Sequence, residues 1–170
     1  PAIRWEKLQT EWPAWWAKLE MFRPGLIPVG HTVLYFDLDT VLVSDISRLA
    51  EFEGQFMMLV AFRNPMEFAS GVMGWRGDFS KLYARCLIEQ DSCIYYGGKL
   101  AWDQVFIKNN IFTQYRISPP TRVQDYVDVC SFKHHIQRNG GVPEDAAVIC
   151  FHGKPRPHEL ETAWMEEHWK

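Results

Sequence analysis

The hydrophobic pattern of the chain switches between helical periodicity and short apolar runs. Near the start, apolar residues recur every three or four positions, as on one face of an amphipathic helix: Trp12, Trp15, Trp16, Leu19 and Phe22. The same period predicts helices over residues 80–90 and 102–109. Ser44 is expected to cap a short helix that runs to Phe52.

Short apolar runs rich in β-branched and aromatic residues predict buried strands. They span residues 32–36, 55–62, 69–75, 123–132 and 147–151. Because these strands are interleaved with helices, the sequence predicts one α/β domain with a mostly parallel sheet flanked by helices. We expect the strand 32–36 to lie at the centre of that sheet, with the strand 147–151 close to it.

Two carboxylates directly follow the first strand. Asp37 and Asp39 are two residues apart, so on a strand they would face the same side, about 7 Å apart. Burying both is costly unless a cation or hydrogen-bond donors meet them. The pair therefore predicts a site for a hard cation or a carboxylate pair for acid–base chemistry. The plainer alternative is a strand followed by a turn that an aspartate caps.

Further polar groups follow the last strand. His152 and Lys154 lie directly beyond it, with Arg156 close behind. In α/β sheets, ligands bind beyond the carboxyl ends of strands, so His152 is expected to converge with Asp37 and Asp39 on one cation. Two carboxylates and an imidazole suit Mn²⁺ better than Ca²⁺, and the neighbouring basic residues suit a phosphate.

Several of these residues have simpler interpretations. His152 can be a hydrogen-bonded histidine at a strand end, and Asp103 can cap the helix that follows it. Lys18 lies off the apolar stripe, where a solvated lysine is the default. Trp75 and Trp102 are more often core residues than stacking platforms for sugars.

Composition limits the class of protein. The chain has 170 residues, 47% of them hydrophobic and 23% charged, as in one globular domain. A net charge of −3 argues against a nucleic-acid partner. The four cysteines lack Cys-x-x-Cys spacing, which favours free thiols and a cytoplasmic location. No apolar run approaches the length of a transmembrane segment.

The order of the motifs resembles a known family. DLD at 37–39, SGVM at 70–73, DQ at 103–104 and FHGKPRP at 151–157 occur in the order found in GT-A-fold glycosyltransferases of the glycogenin-like kind. The run WWAKLEMFRPG at 15–25 is similar to that of bacterial and phage glycosyltransferase sequences. The resemblance covers most of the chain, and the combination is more specific than any one motif.

This resemblance implies a fold, an activity and a cofactor. The implied fold is GT-A (nucleotide-diphospho-sugar transferase) like. The implied activity is hexosyltransferase-like transfer of a sugar from a nucleotide-diphospho-sugar to an acceptor that the sequence does not identify, with retained stereochemistry. The implied cofactor is Mn²⁺ or Mg²⁺, held by Asp37, Asp39 and His152.

The resemblance also implies roles for other residues. Asp103 and Gln104 match the acid–amide pair that contacts the sugar near its reacting carbon, and they are the implied catalytic residues. The implied substrate-binding residues are Lys18 near the donor sugar, Ser70 and Gly71 beneath it, and Lys154 on the phosphate. In the family the motif is usually spaced His-x-x-Gly-x-x-Lys-Pro-Trp, whereas His152, Gly153 and Lys154 are adjacent here.

The family begins with a strand–helix–strand unit that cradles the nucleotide base, and little of it precedes the Asp pair here. We therefore expect one glycosyltransferase-like domain over residues 1–170 that is incomplete at its N-terminus. Such a chain should discriminate bases poorly, so uridine, guanosine and adenosine diphosphates should bind within about tenfold of each other.

Two alternatives belong to other classes. In a haloacid-dehalogenase-like phosphatase, Asp37 would be the nucleophile and Asp39 the acid–base, with Val41 and Leu42 completing the signature. A degenerate transferase-like chain would instead serve as a non-catalytic binding module. An exposed apolar sheet edge would favour that module.

Overall fold

The computed structural model describes residues 6–28 and 30–169, and the chain divides into two compact units. The helical unit comprises Pro1–His31 and Gly77–Ser118, and the sheet unit comprises Thr32–Arg76 and Pro119–Lys170. Within the described ranges, none of the helices combines the length and apolar character that crossing a membrane requires.

Short strands and helices alternate along the described chain. The strands are β1 (Thr32–Phe36), β2 (Thr40–Leu42), β3 (Phe56–Val60), β4 (Phe68–Arg76), β5 (Tyr95–Tyr96), β6 (Lys99–Leu100), β7 (Thr121–Arg122), β8 (Asp128–Ser131) and β9 (Ala146–Cys150). The α-helices are α1 (Ser47–Ala50), α2 (Ser80–Cys93), α3 (Asp103–Tyr115), α4 (Gln137–Asn139) and α5 (Ala163–His168). Tighter 3₁₀ helices cover Ala14–Phe22, Val123–Asp125 and Pro157–Glu159, and a π-helix covers Phe132–Ile136.

The sheet unit contains two mixed sheets, with strand orders β1-β4-β3-β7 and β2-β9-β8. The pairs β1–β4, β3–β4 and β2–β9 are antiparallel, whereas β3–β7 and β8–β9 are parallel. The prediction of a mostly parallel, GT-A-like sheet is therefore wrong, because the observed pairing is mostly antiparallel. The prediction that 32–36 is a central strand is also wrong, since β1 lies at one end of its sheet among the described strands.

The connection between β3 and β4 gives the physical reason for this difference. Residues 61–67 form a short hairpin loop in which Ala61 N donates to Glu67 O at 2.9 Å. Such a short connection reverses the chain direction, so β4 runs antiparallel to β3. A parallel neighbour would need a crossover connection of a dozen or more residues. Apolar runs predict where strands lie, but they do not encode the direction in which strands pair.

Strand β9 anchors the core of the sheet unit, since all five of its residues are buried. It contributes to two hydrophobic clusters, as expected of a strand that is covered on both faces. Just beyond it, Phe151 stacks on Phe132 with ring centroids 4.6 Å apart. Burying two aromatic rings in this way fixes the position at which the chain leaves β9.

Several predicted elements differ in extent. The helix predicted over 44–52 shrinks to α1, and Asp45 rather than Ser44 accepts from Ser47 N, at 2.9 Å. The strand predicted over 123–132 begins only at β8, because a 3₁₀ turn occupies its start. The β5–β6 hairpin was not predicted, and its turn is made by Gly97 and Gly98 at positive φ.

In the helical unit, buried tryptophans hold the N-terminal 3₁₀ helix. Trp16 is completely buried, and the Nε1 atoms of Trp15 and Trp16 both donate to Ala101 O, at 2.9 and 3.0 Å. Both indole donors are therefore satisfied by the loop that leads into α3, which places the start of α3 beside the 3₁₀ helix.

Glu20 ties the residues before the 3₁₀ helix to its end. Its carboxylate accepts from Gln9 N and Thr10 Oγ1, both at 2.7 Å, and lies 3.0 Å from Arg23 Nη1. Burial alone would raise the pKa of Glu20, but the hydrogen bonds from Thr10 and Gln9 and the charge of Arg23 outweigh it and lower the pKa. Glu20 is therefore ionised at neutral pH.

Candidate functional site

Two sheet-unit strands bring Asp39 and His152 to one edge of the β2-β9-β8 sheet. Strand β2 runs antiparallel to β9 with Thr40 opposite Cys150, so β2 begins where β9 ends. Asp39 immediately precedes β2, and His152 follows β9. Phe151 N donates to Asp39 O at 3.0 Å, which fixes the two chain segments side by side.

Asp37 lies at the end of β1, in the turn that leads to β2. Its N–H donates to Gly71 O at 2.8 Å, and its carbonyl accepts from Thr40 N at 3.0 Å. Tyr35 Oη donates to Asp37 Oδ1 at 2.6 Å. A Cβ built on Gly71 would lie 3.4 Å from Asp37 Oδ2, an ordinary van der Waals contact, so this carboxylate lies directly beside β4.

The two aspartates do not share one strand face, as the sequence analysis expected. The segment 37–39 lies in the turn between β1 and β2, and Leu38, between the aspartates, is 94% exposed. A turn rather than a strand end therefore presents the carboxylates. The expected pairing of two residues on one face applies only to regular extended backbone.

Asp39 forms a salt bridge with Arg156 Nη1. Arg156 was predicted to suit a phosphate, whereas the structure places its guanidinium on a carboxylate. Burial raises the pKa of the Cys150 thiol to about 12, and the negative charges of Asp39 and Asp37 also raise it. Both carboxylates therefore lie within electrostatic reach of the end of β9.

The His152 imidazole packs edge-on against Phe62, with ring centroids 5.3 Å apart. His152 is exposed, but partial desolvation still lowers its pKa, and the charges of His134 and Lys133 lower it further, while the Asp37 carboxylate opposes them. His152 is accordingly neutral at pH 7. The neutral imidazole is the form that binds metal ions.

The donor set at this edge fits a divalent cation by its chemistry. Two carboxylates supply the oxygen ligands that Mg²⁺ and Mn²⁺ prefer, and a neutral imidazole suits Mn²⁺. In the structure these side chains bind protein partners, Asp37 with Tyr35 and Asp39 with Arg156. Within residues 6–28 and 30–169, no three His, Cys, Asp or Glu side chains are gathered as a metal site.

A second polar group is buried within the helical unit. Lys18 Nζ lies 3.4 Å from Asp103 Oδ2, and the two side chains are only 5% and 3% exposed. The default expectation of a solvated Lys18 is therefore wrong. Asp103 is the first residue of α3, but Trp102 is its N-cap, so Asp103 is not the helix cap, and Gln104 beside it is half-buried.

The remaining predicted substrate residues lie in the sheet unit. Ser70 is buried on β4, next to Gly71, so the strand predicted over 69–75 does form. The Lys154 side chain is 87% exposed, and its Nζ lies 3.7 Å from Glu159 Oε1. The ammonium group predicted to bind phosphate therefore has a carboxylate partner in the structure.

Sequence analysis missed Tyr35 as a partner of Asp37. Tyr35 and Asp37 are two residues apart at the end of a strand, and this spacing puts side chains on one face. That signal was present in the sequence. The Lys18–Asp103 pair carried no comparable signal, because the two residues are 85 positions apart along the chain.

A scan against protein-family models finds no match, and a search of the curated proteins finds none either. The resemblance to glycosyltransferases therefore stays a prediction. It depends on the motifs in the sequence, and any function assigned to the chain must be argued from the two polar groups described above.

Proposed function

We propose that this chain is a metal-dependent glycosyltransferase of the hexosyltransferase type, which uses a nucleotide-diphospho-sugar as donor and retains the stereochemistry of the sugar. The proposal is based on one structural observation. The hydrogen bond from Phe151 N to Asp39 O brings a turn with two carboxylates beside the strand end that bears a neutral imidazole. Such an arrangement is chemically suited to a cation–diphosphate complex.

In this proposal Asp37, Asp39 and His152 hold Mn²⁺ or Mg²⁺. A bound divalent cation would supply Lewis-acid stabilisation of the negative charge on the departing diphosphate. The Asp37 carboxylate lies beside Gly71, and Tyr35 orients that carboxylate through its hydroxyl. Ser70 and Gly71 belong to β4, the strand that we propose lies under the donor sugar.

The transfer exchanges one bond for another at the anomeric carbon of the sugar. The bond from this carbon to the diphosphate oxygen breaks, and a bond to the acceptor hydroxyl oxygen forms. The acceptor proton passes to the departing phosphate oxygen. Because the acceptor attacks from the face that the diphosphate leaves, the reaction needs no separate general base from the protein.

Asp103 and Gln104 are the residues that we propose steady the positive charge on the sugar, with Lys18 near the donor. The buried ion pair between Lys18 and Asp103 is the structural observation that supports these proposed roles. A buried carboxylate paired with a lysine is a preorganised electrostatic group, which is how enzymes stabilise charge that develops during a reaction.

We also propose that the protein acts in the cytoplasm on small-molecule donors, without a nucleic-acid partner. All four cysteines have free thiols, as a reducing compartment would allow. The net charge of −3 gives no electrostatic attraction toward a polyanion.

The proposal predicts metal-dependent release of nucleoside diphosphate. We expect the purified chain to release it from at least one member of a panel of sugar nucleotides that differ in base and sugar. Removal of divalent cations with EDTA should stop the release, and added Mn²⁺ should restore it. Asp103→Asn should lower the rate by at least about tenfold, because it removes the buried negative charge.

The same assay separates this function from the two alternatives. Hydrolysis of p-nitrophenyl phosphate that is lost in Asp37→Asn, with no sugar nucleotide consumed, would identify a phosphatase instead. Absence of any turnover, combined with self-association of the purified chain, would favour the non-catalytic binding module.

A further inference from the structure

We infer that Lys133 is a phosphate-binding residue, which holds a diphosphate beside the turn that follows β9. This inference depends on the proposed function and deepens it, because it names the side chain that would contact the diphosphate of the donor. The resemblance to glycosyltransferases points to Lys154 for this role, and no motif in the sequence singles out Lys133.

The parallel pairing of β8 with β9 brings Lys133 to the site. Ser131, at the end of β8, lies opposite Cys150, at the end of β9. Both strands therefore end at the same sheet edge, where Lys133 follows one and Gly153 follows the other. This is also the edge at which Asp39 meets Phe151.

The ammonium group of Lys133 lies over the turn at Gly153. Its Nζ is 3.5 Å from the position that a Cβ on Gly153 would occupy. Gly153 has a φ of 79°, in the left-handed region that glycine adopts most readily, and it presents bare backbone to the lysine. Gly153 itself therefore places no side chain between the backbone of the turn and the ammonium group.

The backbone that carries Lys133 is held by packing. Phe132, in the same π-helix, stacks on Phe151 with an interplanar angle of 11°. Ser131 Oγ accepts a hydrogen bond from His134 N at 3.3 Å. Single π-helical turns occur frequently at functional sites, since they redirect side chains locally. Lys133 is therefore presented from a fixed position.

Charged groups of both signs act on His152. Lys133 and His134 act on the imidazole from the π-helix, and the Asp37 carboxylate acts on it with the opposite sign. A metal–diphosphate complex has a matching pattern, because its cation needs carboxylates and its phosphate oxygens need cationic groups. Lys133 is the ammonium group in this cluster.

Lys154 is less suited to the same role. Its side chain is 87% exposed and directed toward Glu159, at 3.7 Å. Glu159 Oε2 also accepts from Arg156 N at 2.7 Å, so this carboxylate is fixed beside Lys154. Lys133, by contrast, is half-buried and lies against the turn itself. An exposed ammonium that is already paired adds less to anion binding than a partly desolvated one.

The test is a calorimetric titration of the full chain with inorganic pyrophosphate at saturating Mn²⁺. Lys133→Gln should weaken pyrophosphate binding by at least about tenfold, since a charge-assisted contact is lost. Lys133→Arg should stay within about threefold of wild type, because it keeps the charge. The matched control Lys154→Gln should also stay within about threefold.

Two further measurements keep the result interpretable. Thermal melting shows whether Lys133→Gln is folded, and Lys133→Met serves as a second neutral variant. Titration with Mn²⁺ alone should give Lys133→Gln an affinity no lower than that of wild type, because the lost charge repelled the cation.

The outcomes separate this inference from the proposed function. If wild type binds Mn²⁺ and pyrophosphate but Lys133→Gln binds pyrophosphate equally well, the role of Lys133 is refuted and the proposed function stands. Loss of pyrophosphate binding in Lys154→Gln alone would likewise assign the phosphate contact to Lys154. A wild-type chain that binds neither Mn²⁺ nor pyrophosphate overturns both proposals.

Discussion

Lys18→Met is expected to lower the free energy of unfolding by about 3–5 kcal/mol, the range for breaking a buried ion pair by removing one partner. Lys18 and Asp103 are almost completely buried, with Nζ and Oδ2 3.4 Å apart. Methionine fills a similar volume, so the loss comes mainly from leaving the Asp103 carboxylate without this charge partner in a desolvated position. Denaturant-induced unfolding, followed by circular dichroism, measures the change.

Two controls separate the charge effect from general perturbation. Lys99→Met removes an exposed lysine from β6, in the same unit, and should change the unfolding free energy by no more than about 0.5 kcal/mol. The double variant Lys18→Met/Asp103→Leu should recover most of the stability, because it removes both charges. If Lys18→Met costs less than about 1 kcal/mol, the pair is solvated and the buried ion pair is refuted.

Asp39→Asn should weaken Mn²⁺ binding by more than about tenfold, or about 1.4 kcal/mol of binding free energy. The substitution keeps the shape of the side chain but removes the charge that a divalent cation requires from its oxygen ligands. It also weakens the salt bridge to Arg156, but this bridge is partly exposed and should contribute about 1 kcal/mol or less to folding. Calorimetric titration and thermal melting together distinguish lost metal affinity from lost stability.

Leu38→Ala is the matched control for this experiment. Leu38 lies between the two aspartates and is 94% exposed, so its truncation should leave both Mn²⁺ affinity and stability close to wild type. Equal Mn²⁺ affinity in wild type and Asp39→Asn would show that Asp39 is not a metal ligand. A similar loss in both variants would indicate disruption of the turn instead.

The positions of most strands could be predicted from the sequence, but their pairing could not. The apolar run TVLYF became β1, and the run AVICF at 147–151 became β9 with a shift of one residue, because β-branched and aromatic residues favour extended, buried backbone. Pairing direction depends on the connections between strands, and the short loop at 61–67 makes β3 and β4 antiparallel neighbours. The prediction of a mostly parallel sheet is wrong for this reason.

For the candidate site, sequence reasoning identified residues that follow strands but not their partners. It named Asp37, Asp39 and His152 from their positions next to strands, and the structure brings the backbone of Phe151 to Asp39. It could not foresee that Arg156 binds Asp39, since the two residues are 117 positions apart. Contacts of this kind depend on which strands become neighbours, which the local pattern does not specify.

Lys18 shows the same limit in the helical unit. Its position off the apolar stripe predicted a solvated side chain, because periodicity identifies only one buried face of a helix. The segment folds as a 3₁₀ helix in which Lys18, Leu19 and Glu20 are all buried, so the protein covers more than the one face that the apolar period marks. The charge of Lys18 is met by Asp103, 85 residues later.

The most direct test of the proposed donor site is an anomalous-scattering map from crystals grown with Mn²⁺ and a nucleoside diphosphate. We predict a manganese peak about 2.0–2.5 Å from carboxylate oxygens of Asp37 and Asp39 and from a ring nitrogen of His152, with the diphosphate on the same ion. A peak elsewhere, or none at this turn while the diphosphate is bound, would contradict the proposed metal-dependent transfer.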